Sequence, residues 1–514
     1  MRTGRGRGLR LAAAALTLGA LAATNALSSA ATAPAPPRPN FLIILVDDQA
    51  MNTFKPRWMP ETYRWIVHPG TKFSAGLAAP PLCCPDRAGI LTGQYPHDNG
   101  VFSNNPGYAS LNGKHDTLPI WLRRAGYRTG FVGKFLNLYS NVAGTAPAPG
   151  FQDWFGFLEP PGYYQYAISD NGTRRWFGIS RADYSTDVLT RHAKAFIRAG
   201  ATTSGGGTGG AGTTTPATQP WFLWLAYEAP HDTQLGIGHC GASNPLPAND
   251  RTYHVYRHVP LPQPPNFNEA DVSDKPSFVS SLPPLEGDFI VHLKTRYRCT
   301  LAAMHEVDKE VAKLMASLKR SGQLAHTIVF YLSDNGFFFG EHRLTRGKSL
   351  PYEPSLRVPY AVRVPKAYQV SRPPHTQPGL VTNEDVPATI LDYAGGVAPC
   401  AGKRVCRVLD GRSLRPLLGG TGSFPTDRGV LSEIATTSVS YSAIRTPAYM
   451  YAEYTDGERE LYDLRADPWE DHNIAGDPAA APIERSLAAR LRSLRRCSGI
   501  RGRDPKRPGV PFCQ

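Results

Sequence analysis

Residues 41–46 read Phe41-Leu42-Ile43-Ile44-Leu45-Val46 and run directly into Asp47-Asp48. An unbroken apolar run, rather than an alternating one, fits a strand buried on both faces. Similar runs occupy residues 221–227 and 327–332, with a shorter one at 129–132. Helical patterns lie between them. Residues 117–125 carry Pro119 in a first turn and stop at Gly126, and Met304, Val307, Val311, Leu314, Met315 and Leu318 recur at helical spacing before Gly322. Helices alternating with apolar strands predict an α/β fold, a largely parallel sheet covered on both faces. This organisation assigns one large domain to about residues 38–420. A smaller C-terminal α+β domain follows over 421–514, with antiparallel strands at 429–433, 440–445 and 449–454 and a helix at 483–494. Residues 201–219 are rich in Gly and Thr and read as a surface loop.

Length and composition narrow the class. At 514 residues the chain can bury a large core, and 41% hydrophobic with 19% charged residues excludes a wholly disordered polymer. Past the N-terminus no apolar run reaches the roughly 18 residues that a membrane helix needs. The first 33 residues read as an address. Arg2, Arg5, Arg7 and Arg10 precede an apolar stretch from Leu11 to Ala23, and small residues follow from Ser28 to Ala33. This is the pattern of a cleaved export signal, and the stretch is short and Ala-rich for an anchor. Adjacent twin arginines are absent, which favours a Sec-type route. The formal net charge is +14, and a mildly basic body suits an anionic substrate or polymer.

The eight cysteines fit export to an oxidising compartment. Cys400 and Cys406 flank a short loop, Cys497 and Cys513 could pin the C-terminal tail, and Cys240 and Cys299 are left to each other. The adjacent pair Cys83-Cys84 closes no useful loop. No C-x-x-C spacing occurs, which argues against a structural zinc site.

The chemistry gathers at strand ends. Strand 41–46 ends in Asp47-Asp48, and strand 327–332 ends in Ser333-Asp334-Asn335-Gly336. Open parallel sheets hold their sites at the carboxyl ends of the strands. Two such ends can form one oxygen-rich cage suited to a hard cation, Ca²⁺ or Mg²⁺. Alone, an Asp-Asp pair after a strand is more often a helix cap or a turn, and Asp-Asn-Gly is usually a turn.

A third element, Leu82-Cys83-Cys84-Pro85-Asp86-Arg87 followed by Leu91-Thr92-Gly93, changes that reading. Cys-x-Pro-x-Arg followed by Leu-Thr-Gly resembles the signature of the type I sulfatases. The resemblance covers nearly the whole chain after the leader. Arg38 through Gln49, Gly133-Lys134-Phe135, Ala229-Pro230-His231, Ser333 through His342, Lys348 with Arg357-Val358-Pro359, Asp410 through Leu414, and Leu461 through Asp463 with Asp467-Pro468 are similar to that family's motifs. Two departures stand out. Asp86 occupies the usual Ser position. Leu136, followed by Asn137, stands where many members have His, and this variant resembles the N-acetylglucosamine-6-sulfatases and bacterial arylsulfatases.

The resemblance implies an alkaline-phosphatase-like fold, a large mixed, mostly parallel sheet, and a sulfuric ester hydrolase. It implies that a formylglycine-generating enzyme converts Cys83 to formylglycine (3-oxoalanine). One hydroxyl of the hydrated aldehyde then attacks sulfur, and the other, once deprotonated, expels sulfate. Asp47, Asp48, Asp334 and Asn335, with residue 83, would hold Ca²⁺ or Mg²⁺. Lys134 and Lys348 would offset sulfonyl charge, Arg87 would hold the hydrate and its loop, and His231 would bind sulfate or protonate the leaving oxygen. Asn137 would take over the missing histidine's contact with substrate.

The expected protein is thus a secreted sulfatase acting on sulfated carbohydrate such as N-acetylglucosamine 6-sulfate, with no nucleic-acid or stable membrane partner. The alternatives are a generic arylsulfatase, a phosphate or phosphonate monoester hydrolase on the same scaffold, and a sulfated-glycan binder without catalysis. The full set of Cys83, Arg87, Lys134, His231 and Lys348 argues against the last.

Overall fold

The computed structural model describes residues 36–202, 219–397, 399 and 407–513. The leader, most of the Gly/Thr-rich stretch and the Cys400–Cys406 pair lie outside the described residues. The run at 41–46 forms β1 (Asn40–Val46), near the middle of a ten-stranded sheet. The other strands are β2 (Thr71–Leu77), β3 (Arg128–Gly133), β4 (Asp153–Leu158), β5 (Tyr166–Asp170), β6 (Thr173–Phe177), β7 (Trp221–Ala226), β8 (Thr327–Ser333), β9 (Tyr360–Arg363) and β10 (Thr376–Thr382). Their order is β10-β2-β9-β8-β1-β7-β3-β4-β5-β6. The block β8-β1-β7-β3-β4 is parallel throughout, with Ile43 opposite both Trp224 and Phe330. Antiparallel pairing is confined to β9 and to the β4-β5-β6 end.

Both faces of β1 are covered, which is why its sequence does not alternate. Phe41, Ile43 and Leu45 pack with Phe131, Trp224 and Phe330 beneath helices α1 (Cys83–Thr92), α2 (Leu118–Arg124) and α5 (Asp385–Tyr393). Leu42, Ile44 and Val46 pack on the opposite face beneath α3 (Ser185–Thr202) and α4 (Asp288–Arg320). Each such side chain is fully buried, which contributes about 1.5–3 kcal/mol.

The expected strands at 41–46, 129–132, 221–227 and 327–332 all form, within a residue or so at their ends. Helix α4 begins at Asp288, well before the apolar repeat at Met304. Its first turns expose Phe289 and Val291 while burying Arg296, which hides the period. Strands β2, β6 and β10 carry no apolar run of three, and those of β5 (Tyr166-Ala167-Ile168) and β9 (Tyr360-Ala361-Val362) are only three residues long. Strand β6 is almost wholly exposed at the sheet edge, so its residues answer to pairing rather than burial.

The C-terminal sheet is β11 (Val430–Ala435), β12 (Ser440–Arg445), β13 (Tyr449–Tyr454) and β14 (Arg459–Asp463), antiparallel in chain order. The last strand lies on a marker motif rather than an expected strand. One face buries Leu431, Ile444 and Leu461 against Leu487 and Leu491 of α6 (Ala481–Leu494). The other packs Met450, Tyr454 and Tyr462 on Phe338, Leu350 and Tyr352, the loop after β8. Described residues from Pro37 onward form one compact unit. Disulfides join Cys240 to Cys299 and Cys497 to Cys513, as expected, while Cys83 and Cys84 are unbridged. Among the described residues no helix is long and apolar enough to cross a membrane.

Arg428, before β11, reaches Asp385 in the first turn of α5 with Nη1–Oδ2 at 2.6 Å and Nη2–Oδ1 at 2.8 Å. Both side chains are buried. Removing one partner leaves a buried charge, so Arg428→Ala should lower unfolding free energy by about 3–5 kcal/mol in urea titrations. A loss below about 1 kcal/mol would mean that solvent reaches the pair.

Candidate active site

Four adjacent strands deliver their carboxyl ends to one place. β1 supplies Asp47 and Asp48, β8 supplies Asp334 and Asn335, β3 supplies Lys134, and the segment after β7 supplies Glu228 and His231. Cross-strand bonds fix these ends: Asp47 N donates to Ala229 O at 3.1 Å and Asp334 N to Val46 O at 3.2 Å. Asp48 takes a left-handed backbone, φ 69°, which turns the chain as it leaves the sheet. Gly133 precedes Lys134 at φ 114°, where a Cβ would lie 1.8 Å from Ala226 O. Only glycine fits there, and this lets Lys134 N bond Ala226 O at 3.0 Å.

Helix α1 brings the fifth component. Cys83 is its first residue, and Arg87, one turn on, is fully buried. Arg87 Nη2 meets Asp47 Oδ2 and its Nε meets Asp334 Oδ2, each at 2.8 Å, while Nη1 donates to Lys134 O. Cys83 Sγ lies 2.9 Å from Lys348 Nζ and 3.5 Å from Asp47 Oδ1. Lys348 also contacts Asp48 Oδ1, and Lys134 Nζ sits 2.6 Å from Asp47 Oδ2. His231, 28% exposed at the rim, has Nε2 3.9 Å from Asp48 Oδ2 and Nδ1 2.9 Å from Asp232 O. Tyr163 Oη donates to His231 O at 2.7 Å, which holds that loop.

The charges answer to burial first. Burial pushes Asp47 up, but Lys134, His231, Arg87 and Lys348 together outweigh it and hold the carboxyl well below its ordinary value. Asp334 has fewer cations near it, and burial with the charge of Asp47 raises it. Burial, then Asp47, pushes the Cys83 thiol well up despite Lys348. A protonated thiol is a poor nucleophile, so Cys83 as such is unsuited to attack.

The donor set fits a hard divalent cation. Ligand atoms of Asp47, Asp48, Cys83 and His231 lie within 4.8 Å of one another. Asn335 Nδ2 donates to Asp48 Oδ1 at 2.6 Å, and its buried Oδ1 has no hydrogen-bond partner. A carbonyl oxygen left unpartnered among carboxylates is what a cation would satisfy. Asp334 turns Oδ2 to Arg87 and accepts Asp48 N on Oδ1 at 3.2 Å.

Nine of the ten residues singled out in the sequence therefore converge. Asn137 does not join them by contact: its side chain makes no hydrogen bond among the described residues, and its Oδ1 is buried and unpartnered. Leu136 packs in the core beside Phe135. Asp86, in the usual Ser position, faces away from the site. Asn383 Nδ2 donates to its two oxygens at 3.0 and 2.9 Å and to Ser333 O at 3.0 Å. Burial, with Glu384 and Asp334 nearby, raises its carboxyl well above the ordinary value.

Two residues of the site escaped the sequence reading. Glu228 is buried with Oε2 3.4 Å from Lys134 Nζ and Oε1 3.4 Å from His231 Nδ1. Its signal was an acid just past a buried strand, three residues before the histidine. Asp232 is contacted by Arg346 and lies 3.7 Å from Arg296 Nη1, and the long loops that separate these residues gave no warning.

Comparison with known proteins agrees with this geometry. Residues 39–397 match the Sulfatase family, and residues 340–497 match the N-sulphoglucosamine sulphohydrolase C-terminal region. The chain is 31% identical to an arylsulfatase of Volvox carteri, over 90% of this chain and 75% of that protein. It is 30% identical to the human N-acetylglucosamine-6-sulfatase, over 91% of this chain and 86% of that one. A structure solved in complex with its substrate D-glucosamine-2-N,6-O-disulfate superposes with a TM-score of 0.69 at 24% identity, over 89% of this chain and 97% of the other, and so shares the fold. With the family match spanning most of the chain and the motif residues gathered at one set of strand ends, this protein belongs to the sulfatase family and is a sulfuric ester hydrolase.

Proposed function

We propose that the protein is an exported sulfatase that removes sulfate from sugars, N-acetylglucosamine 6-sulfate in particular, using formylglycine made from Cys83 by a formylglycine-generating enzyme. The observation that carries the reading is the setting of Cys83, between Lys348 Nζ at 2.9 Å and Asp47 Oδ1 at 3.5 Å, at the first turn of α1. Lys348 and the helix N-terminus supply positive charge there, while burial and Asp47 keep the unmodified thiol protonated. The sugar assignment is supported by the similarity to N-acetylglucosamine-6-sulfatases. The similarity to an arylsulfatase supports a second reading, in which small aryl sulfates are the substrates. Export is supported by the basic and apolar leader of residues 1–33 and by the two disulfides. Residues 38–420 would carry the chemistry and 421–514 would brace it.

Formylglycine at position 83 would supply a nucleophilic oxygen, and a divalent cation, Ca²⁺ or Mg²⁺, would supply positive charge to the site. Asp47, Asp48, Asp334 and Asn335 would hold the cation. Arg87 has its nitrogens committed to Asp47, Asp334 and Lys134 O, so it orients the carboxylates and the loop. Lys134 and Lys348 offset charge on the sulfonyl oxygens. His231 is the most exposed of these groups and meets the leaving oxygen, to which Nε2 gives a proton. Glu228 and the Asp232 carbonyl hold its Nδ1 side. Asn137, three residues after Lys134 and with a buried, unpartnered Oδ1, would contact the sugar.

Three outcomes are expected. The peptide containing Cys83 should carry the mass of formylglycine, and Cys83→Ala should abolish turnover while Cys84→Ala keeps it. Activity lost only on changing Cys84 would overturn the assignment. Exhaustive chelation should abolish turnover and lower the melting temperature, with Ca²⁺ restoring both. Full activity in metal-free protein would remove the cage from the mechanism. His231→Ala should slow cleavage of N-acetylglucosamine 6-sulfate by about 10²–10⁴-fold and nitrophenyl sulfate far less, since an aryl oxide needs little protonation to leave. Rapid aryl sulfate cleavage with no turnover of the sugar would establish the second reading instead.

A further inference from the structure

The positive charge of this chain is not spread over its body. Residues 34–484 carry 43 Lys and Arg against 41 Asp and Glu, whereas residues 485–514 carry nine against the single acid Asp504. The structure places these nine on α6, on the turn that ends it and on the loop closed by Cys497–Cys513. In α6, Glu484, Leu487, Leu491 and Leu494 form the buried stripe, and Arg485 and Arg492 project from the opposite side. Arg496, just past the helix end, continues that line. Helical rise sets successive members of the row about 10 Å and 6 Å apart.

The chain then closes on itself. Cys497 is bonded to Cys513, Ser498 N donates to Pro511 O at 3.0 Å and Cys513 N to Gly499 O at 2.7 Å. The loop so held presents Arg501, Lys506 and Arg507 to solvent. Arg490, Arg495 and Arg503 are engaged, with Asp427 O, Glu453 and Asp504 respectively. Arg485, Arg492, Arg496, Lys506 and Arg507 make no ion pair among the described residues. Five exposed cations without counter-ions repel one another, and nothing in the fold needs them there.

We propose that this face, the outer side of α6 with the Cys497–Cys513 loop, is a second binding site of the protein and takes a sulfated polysaccharide. The ligand class follows from the side chains. Arginine presents a planar fork suited to oxyanions, and the row is linear, as a chain polymer requires. Phe512, the one aromatic residue of 485–514, lies under Arg501 at 5.4 Å, so no open ring is offered for stacking a nucleobase. The disulfide that shapes the loop suits an oxidising compartment, where extracellular sulfated polymers occur.

The site is tethered to the catalytic one. His97 bonds Cys497 O at 2.9 Å and Glu433 at 2.7 Å, and it follows closely after α1, whose first residue is Cys83. Helix α1, about 15 Å long, lies in the chain between Cys83 and His97. A monosaccharide cannot touch both, and a polymer of several sugars can. This proposal rests on the sulfated-sugar reading for its choice of polymer, but its measurement does not depend on turnover.

The test compares full-length protein carrying Arg485→Ser/Arg492→Ser/Arg496→Ser with the charge-matched control Arg123→Ser/Arg124→Ser/Arg320→Ser. All six residues are exposed and make no ion pair among the described residues, so both variants should fold. Binding to immobilised heparin is read in a Cys83→Ala background, and turnover of N-acetylglucosamine 6-sulfate is read without that change. The first variant should bind heparin about tenfold more weakly at 0.15 M NaCl, with a shallower salt dependence, and the control should bind nearly as the parent does. Lys506→Ser/Arg507→Ser should weaken binding in the same direction. Turnover of the monosaccharide should be unchanged in all three. Equal losses in variant and control would reduce the effect to net charge and overturn the site. Single-stranded DNA held at this face as tightly as heparin would overturn the ligand class. Absent monosaccharide turnover with intact, α6-dependent heparin binding would instead overturn the proposed function and leave this site standing.

Discussion

Burying like charges side by side is the constraint around which this molecule is built. Parallel strands must end at the same edge, and here those ends carry Asp47, Asp48 and Asp334 in a volume closed to water. Left alone, three carboxylates would repel one another and their pKa values would be driven up. The Arg87 guanidinium answers this by forking between Asp47 and Asp334 while capping the Lys134 carbonyl. It thereby joins β1, β8 and β3 to α1. Residue 83 owes its place to this bond, because Cys83 begins the same helix. An ammonium could not replace it, since its donors sit on one nitrogen and could not span Asp47, Asp334 and the Lys134 carbonyl as the three nitrogens of the planar fork do.

The second lysine is set from further away. Lys348 lies on the long loop after β8, which has no regular structure of its own around that residue. The loop is held because Phe338, Leu350 and Tyr352 are buried under the C-terminal sheet. Tyr352 also donates to the buried Glu460, which Tyr454 and Tyr462 share, and Arg445 bonds Glu353 at 2.7 Å. The C-terminal sheet therefore belongs to the site's support rather than to a separate appendage. The same segment ends in the basic tail, so one element braces the chemistry on its inner face and presents cations on its outer one.

The site was readable wherever its residues follow directly on a buried strand or open the motif helix. Asp47-Asp48, Ser333-Asp334-Asn335, Gly133-Lys134 and Cys83 through Arg87 are of this kind, because strand ends and helix starts leave local marks in the chain. Glu228 left only a weak mark, since a lone acid beyond a strand has many uses. Asp86 departed from the family pattern, and its reason, the carboxamide of Asn383, lies far away in the chain. The early turns of α4 hid because their exposed Phe289 and Val291 break the helical period. The charge balance misled in a different way. Summed over the chain it suggested a mildly basic body, when the body is near neutral and the leader and the tail hold the excess.

The amino-acid sequence by itself indicated the α/β class and, through its resemblance to a family, the site motifs, and it offered Cys240 with Cys299 and Cys497 with Cys513 as the pairings that the structure forms. Those properties are written in apolar periodicity, in short-range spacing and in the arithmetic of a few cysteines. Tertiary structure alone decided which carboxylate is pushed below its ordinary pKa and which above, where Lys348 reaches, why Asp86 is tolerated, and that Glu228 stands behind His231. These depend on distances between residues remote in sequence and on the exclusion of water from between them. A linear reading carries no measure of either quantity.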